Sequence, residues 1–150
     1  MMFIQNDDFN FICYMALLIL EKLSCTKENF SFIDYRKIAF IANIVFYKNK
    51  TDWDEIYYDS QITLKTLEMV IQSLEKKGII NIMLNDTRKT IDIWLADRTL
   101  SKMFVKEQLF TYELEEIEKI RKIDNRLRTS KLSTFLDKQF SSHGVKVWEV

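Results

Sequence analysis

The chain has 150 residues, 47% of them apolar and 13% aromatic, enough to bury a core and too many for a disordered polymer. Its 22 basic and 22 acidic residues cancel, which argues against a free-standing DNA-binding domain, since such domains carry a basic excess that neutralises phosphates. No apolar run approaches the roughly 18 residues that cross a bilayer, and the start, MMFIQNDD, is acidic where a signal peptide is basic. A cytoplasmic protein with no membrane partner is expected.

With no proline and two glycines, the chain should run in long helices. Residues 8–23 predict the first, with Phe9, Cys13, Ala16, Leu17, Leu20 and Leu23 at helical spacing and Ile12, Leu18 and Ile19 adding apolar surface on other faces. Cys13 and Cys25 read as buried free thiols, because metal sites need several closely spaced Cys or His and the one histidine is His143. A second helix is expected from Ser31, which would cap it, with Asp34 three residues on in a capping-box-like start. Phe32, Ile33, Ile38, Phe40, Ile41, Ile44 and Val45 make it very apolar, with Arg36 and Lys37 on its wet side.

Residues 51–58 predict a short helix capped by Thr51, followed by a turn at 59–61. Thr63 then reads as the N-cap of a helix over 64–77, whose apolar face is Leu64, Leu67, Val70, Ile71 and Leu74. Gly78 stands where a left-handed C-cap residue is wanted. Residues 79–84 and 90–95 predict two strands joined by a polar turn at 85–89, with Ile91, Ile93 and Leu95 on one face. Helix, turn, helix, glycine stop and hairpin is the order of a winged helix-turn-helix. The expected fold is therefore mainly α with a small β-hairpin, a winged-helix core over residues 1–97 and a helical arm over 98–150.

The arm predicts one long helix over 100–128 with Phe104, Phe110, Leu114, Ile117, Ile120, Ile123 and Leu127 as its stripe, and a shorter helix over 129–140. After Gly144 the tail VKVWEV is β-like, a docked or frayed end, or else a strand added to a partner's sheet. Two nearly all-round apolar helices in a chain this small suggest that a partner covers some of their surface. Phe11, Leu18, Ile19, Phe40, Phe110, Ile117 and Trp148 are the candidate partner-facing residues.

No phosphate loop, GxGxxG, nucleophile elbow or HExxH is present, and two glycines cannot build a phosphate cradle. His143 reads as a solvated loop residue. No enzymatic activity and no cofactor are expected. Binding candidates are basic. The wing tip carries Arg88 and Lys89 against Asp86, and the preceding helix offers Lys65 and Gln72, a thin set for gripping phosphates or reading base edges. The run KIRKIDNRLRTSK holds Lys119, Arg121, Lys122, Arg126, Arg128 and Lys131 against Asp124 alone. It reads as a solvated helical face or as a contact to a DNA backbone or an acidic partner.

The second-helix string FSFIDYRKIAF, its FIDY element, and the helix-into-wing pattern L-x-x-x-I-x-x-L-x-x-K-G-I-I-N-I together resemble the small middle components of bacterial ABC-three-component systems of the Lamassu anti-phage type. The resemblance spans about residues 9–95. It implies a non-catalytic accessory subunit that binds an SMC-like ATPase in a kleisin-like role and helps hold an effector nuclease, with DNA as a further contact within the complex. The alternative is a winged-helix transcription or replication regulator contacting DNA through Lys65, Gln72, Arg88 and Lys89.

Overall fold

Residues 8–147 are described by a computed structural model. The first helix, α1 (Phe9–Lys22), starts where Asp8 accepts hydrogen bonds from the backbone N–H groups of Asn10 at 2.9 Å and Phe11 at 3.2 Å. Its all-round apolar sequence has a simple physical outcome. Ile12 and every residue from Met15 to Leu20 are buried, because α1 is the central helix and its neighbours surround it.

Ser31 does not cap the second helix. Ile33–Asp34 form a short strand, β1, and α2 (Tyr35–Phe46) starts after it, with the Asp34 side chain accepting from Arg36 N–H at 3.1 Å. Sheet pairing draws Ile33 into the core and moves the cap three residues along. Lys37 is not on a wet side either: it is 1% exposed.

The turn expected at residues 59–61 is absent, and one 24-residue helix, α3 (Trp53–Lys76), runs through it from an Asp52 cap. Its polar interior residues are satisfied inside the helix. Ser60 and Thr63 hydroxyls donate to the carbonyls of Ile56 and Asp59 at 2.7 and 2.9 Å, and Thr63 Oγ1 accepts from buried Asn43 Nδ2 of α2 at 3.0 Å. Thr63 therefore joins α3 to α2 instead of capping anything. Gly78 does stop the helix, at φ +75°, with Ile79 N–H reaching Leu74 O and Gly78 N–H reaching Glu75 O, both at 2.9 Å, the hydrogen-bond pair of a Schellman end.

The hairpin forms as expected. Strands β2 (Ile80–Asn85) and β3 (Thr90–Leu95) pair antiparallel from Ile80↔Leu95 to Asn85↔Thr90. Strand β1 lies on the other edge of β3, in register Ile33↔Ile93, so the sheet order is β1-β3-β2. Ile93 and Leu95 are fully buried, and Ile91 packs against the core from partial cover.

The long helix expected over residues 100–128 is two helices, α4 (Thr99–Lys106) and α5 (Thr111–Ile123). At ~100° per residue, Phe104 and Phe110 of a continuous helix would face away from each other. The break, with Gln108 at φ +54°, lets both rings pack on Tyr14 at 5.7 Å and on each other at 5.1 Å. Helix α6 (Leu132–Gln139) and a 3₁₀ turn (Ser141–His143) follow, ending at Gly144 with φ +83°. His143 is exposed and stacks on Trp53 at 3.9 Å. Phe104, Ile117, Ile120, Leu127, Leu132, Phe135, Leu136 and Phe140 of these later elements share one hydrophobic core with the preceding ones.

The candidate partner-facing residues Leu18, Ile19, Phe40 and Ile117 are 0% exposed, and Phe11 and Phe110 are partly buried against the core. Their apolarity is used inside the chain. Trp148 lies outside the described residues, and Val145 to Val147 of the tail form no strand. Cys25 is buried, which pushes its thiol up to about 12, and half-buried Cys13 is raised for the same reason. No described helix is long and apolar enough to cross a membrane.

Candidate functional site

Basic residues far apart in sequence meet in one cleft of about 400 Å³. The hairpin turn brings Arg88 and Lys89, the start of α2 brings Arg36 and Lys37, and the chain between α5 and α6 brings Arg128 and Lys131. Asp34 and Asp92 are the two carboxylates on its wall. Both are buried and already engaged: Asp34 pairs with Arg36 at 2.7 Å, and Asp92 accepts from Asn85 Nδ2 at 3.0 Å and Thr90 Oγ1 at 2.9 Å. Arg88, Lys89 and Lys131 are exposed at the cleft.

Hydrogen bonds to one side-chain amide and several backbone carbonyls set this geometry. Asn85 Oδ1 accepts from Arg88 N–H at 3.1 Å and shapes the hairpin turn, and the Arg88 guanidinium donates to Thr129 O at 2.7 Å. The turn is thereby tied to the segment after α5. Arg128 reaches Phe32 O at 3.4 Å. Beneath them the Lys37 ammonium donates to Leu127 O at 2.9 Å, to Arg128 O at 3.4 Å, and to Ser130 O. A buried ammonium is costly to keep charged, and burial lowers Lys37 to about 8. The Ser130 hydroxyl, buried at the cleft wall, has no hydrogen-bond partner among the described residues.

The basic run at 119–131 is split by the fold. Lys119 and Arg121 turn to acids one helical turn back, Glu116 and Glu118, at 2.8 and 2.6 Å. Lys122 lies beside Glu118 along α5, and Arg126 is exposed in the turn that buried Asp124 holds by accepting Arg126 N–H at 3.0 Å. Only Arg128 and Lys131 of this run join the cleft. Lys65 and Gln72 are exposed on α3 and line no part of it.

Glu116 gives the α5 surface a measurable pH signature. Lys119 stands 2.8 Å from one carboxylate oxygen and Lys50 donates to the other at 2.9 Å, and the pair holds the acid down to about 2. A depressed acid stabilises the fold above its unfolded value near 4.3 and loses that contribution as pH falls through the folded value. Stability of the wild type is therefore expected to drop between pH 4.5 and 2 more than that of Glu116→Gln, in urea titrations across that range.

Sequence reasoning placed Arg36 and Lys37 on a wet helix face without assigning them to a site, and it gave no sign of an aromatic notch beside the cleft. The notch, about 200 Å³, is lined by Phe30, Phe32, Met83 and Trp94 with Lys27 at its side, and it shares Phe32 with the cleft. Phe30 is 89% exposed at φ +52°. An unfavourable backbone conformation for a bulky residue is the kind of signal that only coordinates reveal.

Fold and cleft define the class: a mainly helical protein with a small three-stranded antiparallel sheet and one concentrated basic cleft. No protein-family model matches the chain, and comparison with curated proteins and with solved structures finds no similar one.

Proposed function

We propose that the chain is a cytoplasmic, non-catalytic winged-helix subunit of a multi-protein assembly, the Lamassu-type anti-phage or anti-plasmid complex being the one its sequence resembles. In that role it binds an SMC-like ATPase in the manner of a kleisin and helps hold an effector nuclease. The winged-helix part of this reading is supported by the element order α1-β1-α2-α3-β2-β3 and the sheet order β1-β3-β2. The observation that carries the partner-binding part is the outer face of α3. Tyr58, Ile62 and Met69 are exposed there at 64%, 46% and 63%, with Lys65 and Gln72 among them, at the alternating three- and four-residue spacing of one helix face. Lys65 and Gln72 are the two side chains of this face with base-reading chemistry, set singly among the three exposed apolar ones. An apolar stripe rimmed by polar residues fits a protein partner.

The test is co-expression with the products of neighbouring genes, the large ATPase first. Stoichiometric co-elution with the wild type, abolished by Ile62→Glu with Met69→Glu while the circular dichroism is unchanged, is the expected result. A chain that elutes alone in every combination would sink the proposal. The second reading, a regulator that holds duplex DNA, would use Lys65 and Gln72 on α3 with Arg88 and Lys89 at the hairpin turn, and a sequence-selective gel shift weakened by Lys65→Ala and by Arg88→Ala would support it over the accessory role.

A further inference from the structure

We propose that the basic cleft and the aromatic notch together bind single-stranded nucleic acid, with phosphates in the cleft and an unstacked base on the notch. Surfaces that hold single strands without sequence preference combine a positive groove along the backbone with aromatic faces on which bases stack. Both parts are present here, side by side, with Phe32 lining each. The cleft gathers its basic groups over two carboxylates that are buried and engaged by Arg36, Asn85 and Thr90. Exposed charge at this place is therefore positive, at Arg88, Lys89 and Lys131.

Phe32 is the shared wall, its ring centroid 6.5 Å from that of Trp94. Phe30, the most exposed large apolar side chain among the described residues, stands at the notch in a left-handed backbone conformation. Its loop is pinned by Phe30 N–H to Lys27 O at 3.1 Å and Ser31 N–H to Thr26 O at 3.2 Å. A bulky residue held at positive φ with its ring in solvent is strain kept where the surface is used. Burial of a base face would give that ring a partner.

Duplex DNA fits this arrangement less well, since its bases are stacked and paired and cannot lie on the notch. The α3 side chains Lys65 and Gln72 belong to another surface. The proposal concerns this surface alone and holds whichever partner α3 takes.

The experiment is fluorescence anisotropy of the full chain with a labelled oligothymidylate of about twelve nucleotides, within the span one small domain covers, across a salt series. A duplex of the same length and inorganic polyphosphate are the comparison ligands. The oligothymidylate is expected to bind at low salt and more tightly than either. Phe30→Ala should weaken it roughly tenfold with little change in salt dependence. Lys89→Gln with Lys131→Gln should flatten the slope of log affinity against log salt by about 1.4. Circular dichroism of these surface variants should match the wild type. Equal affinity for duplex or for polyphosphate, no binding of the oligothymidylate, or binding indifferent to Phe30→Ala would each overturn the assignment.

Discussion

Truncating Phe40 to alanine should cost the isolated chain about 3–5 kcal/mol, the range for deleting a buried phenyl ring. Phe40 is 0% exposed and its ring lies 5.7 Å from Tyr57 of α3, 6.2 Å from Phe135 of α6 and 5.6 Å from Phe140. One side chain of α2 thus joins the front of the chain to its last helix. The loss is a large share of the ~5–15 kcal/mol that holds a domain of this size together. Urea unfolding of the purified chain measures it. A loss below about 1 kcal/mol would mean that the ring faces outward, toward a partner. Because Phe40 and Phe135 touch, their alanine variants should not add, and a double-mutant cycle reads the coupling.

Lys37 should show the second large effect, as a function of pH. Its ammonium is kept at a cost: burial lowers it to about 8 from the ordinary 10.5. Below pH 8 it is charged in both folded and unfolded chains, and the full cost is present. Between pH 8 and 10.5 the folded chain releases the proton while the unfolded chain keeps it, so stability rises with pH. A shift of that size corresponds to roughly 3 kcal/mol. Wild type measured against Lys37→Met in urea at pH 7 and at pH 10 should diverge by that order, with the rise confined to wild type.

At pH 7 the variant should be nearly as stable as wild type, because two terms oppose. Removing the buried charge recovers roughly 3 kcal/mol. Stripping Leu127 O of its donor costs about 1–3 kcal/mol, while the part-buried bonds of Arg128 O and Ser130 O can be replaced by water. What the variant should lose is order. Amide exchange over residues 126–131 is expected to speed up, because Lys37 ties that segment beneath the cleft. Unchanged exchange there would refute its positioning role.

These two residues mark where sequence reading stops. Local signals were sound. The helix at α1, the Gly78 stop and the strand at β3 each depend on neighbours a few residues away, and each appears in the fold, although burial in α1 runs all round and Asp92 is buried beside Ile93. Signals of cap and break were less secure. Thr63 has the chemistry of an N-cap, yet Asn43 offers it a buried partner, so α3 runs through. The stripe from Phe104 to Leu127 looks continuous until Tyr14 takes Phe104 and Phe110 on one ring, which a straight helix cannot do.

The sequence by itself determined a mainly helical chain with an apolar core, a glycine-stopped helix and a hairpin, because those follow from spacing along the chain. It also marked Arg88 and Lys89 as a thin basic pair at the wing and Arg128 and Lys131 as part of a separate, more strongly basic run. Only the tertiary structure decided that they share a cleft, since Arg88 meets Thr129 O and Lys37 meets Leu127 O across distances that no local pattern encodes. The same holds for apolar surface. Sequence shows that Phe40 and Leu18 are hydrophobic, but whether this chain or a partner covers them depends on how the helices pack, and here the chain covers them itself.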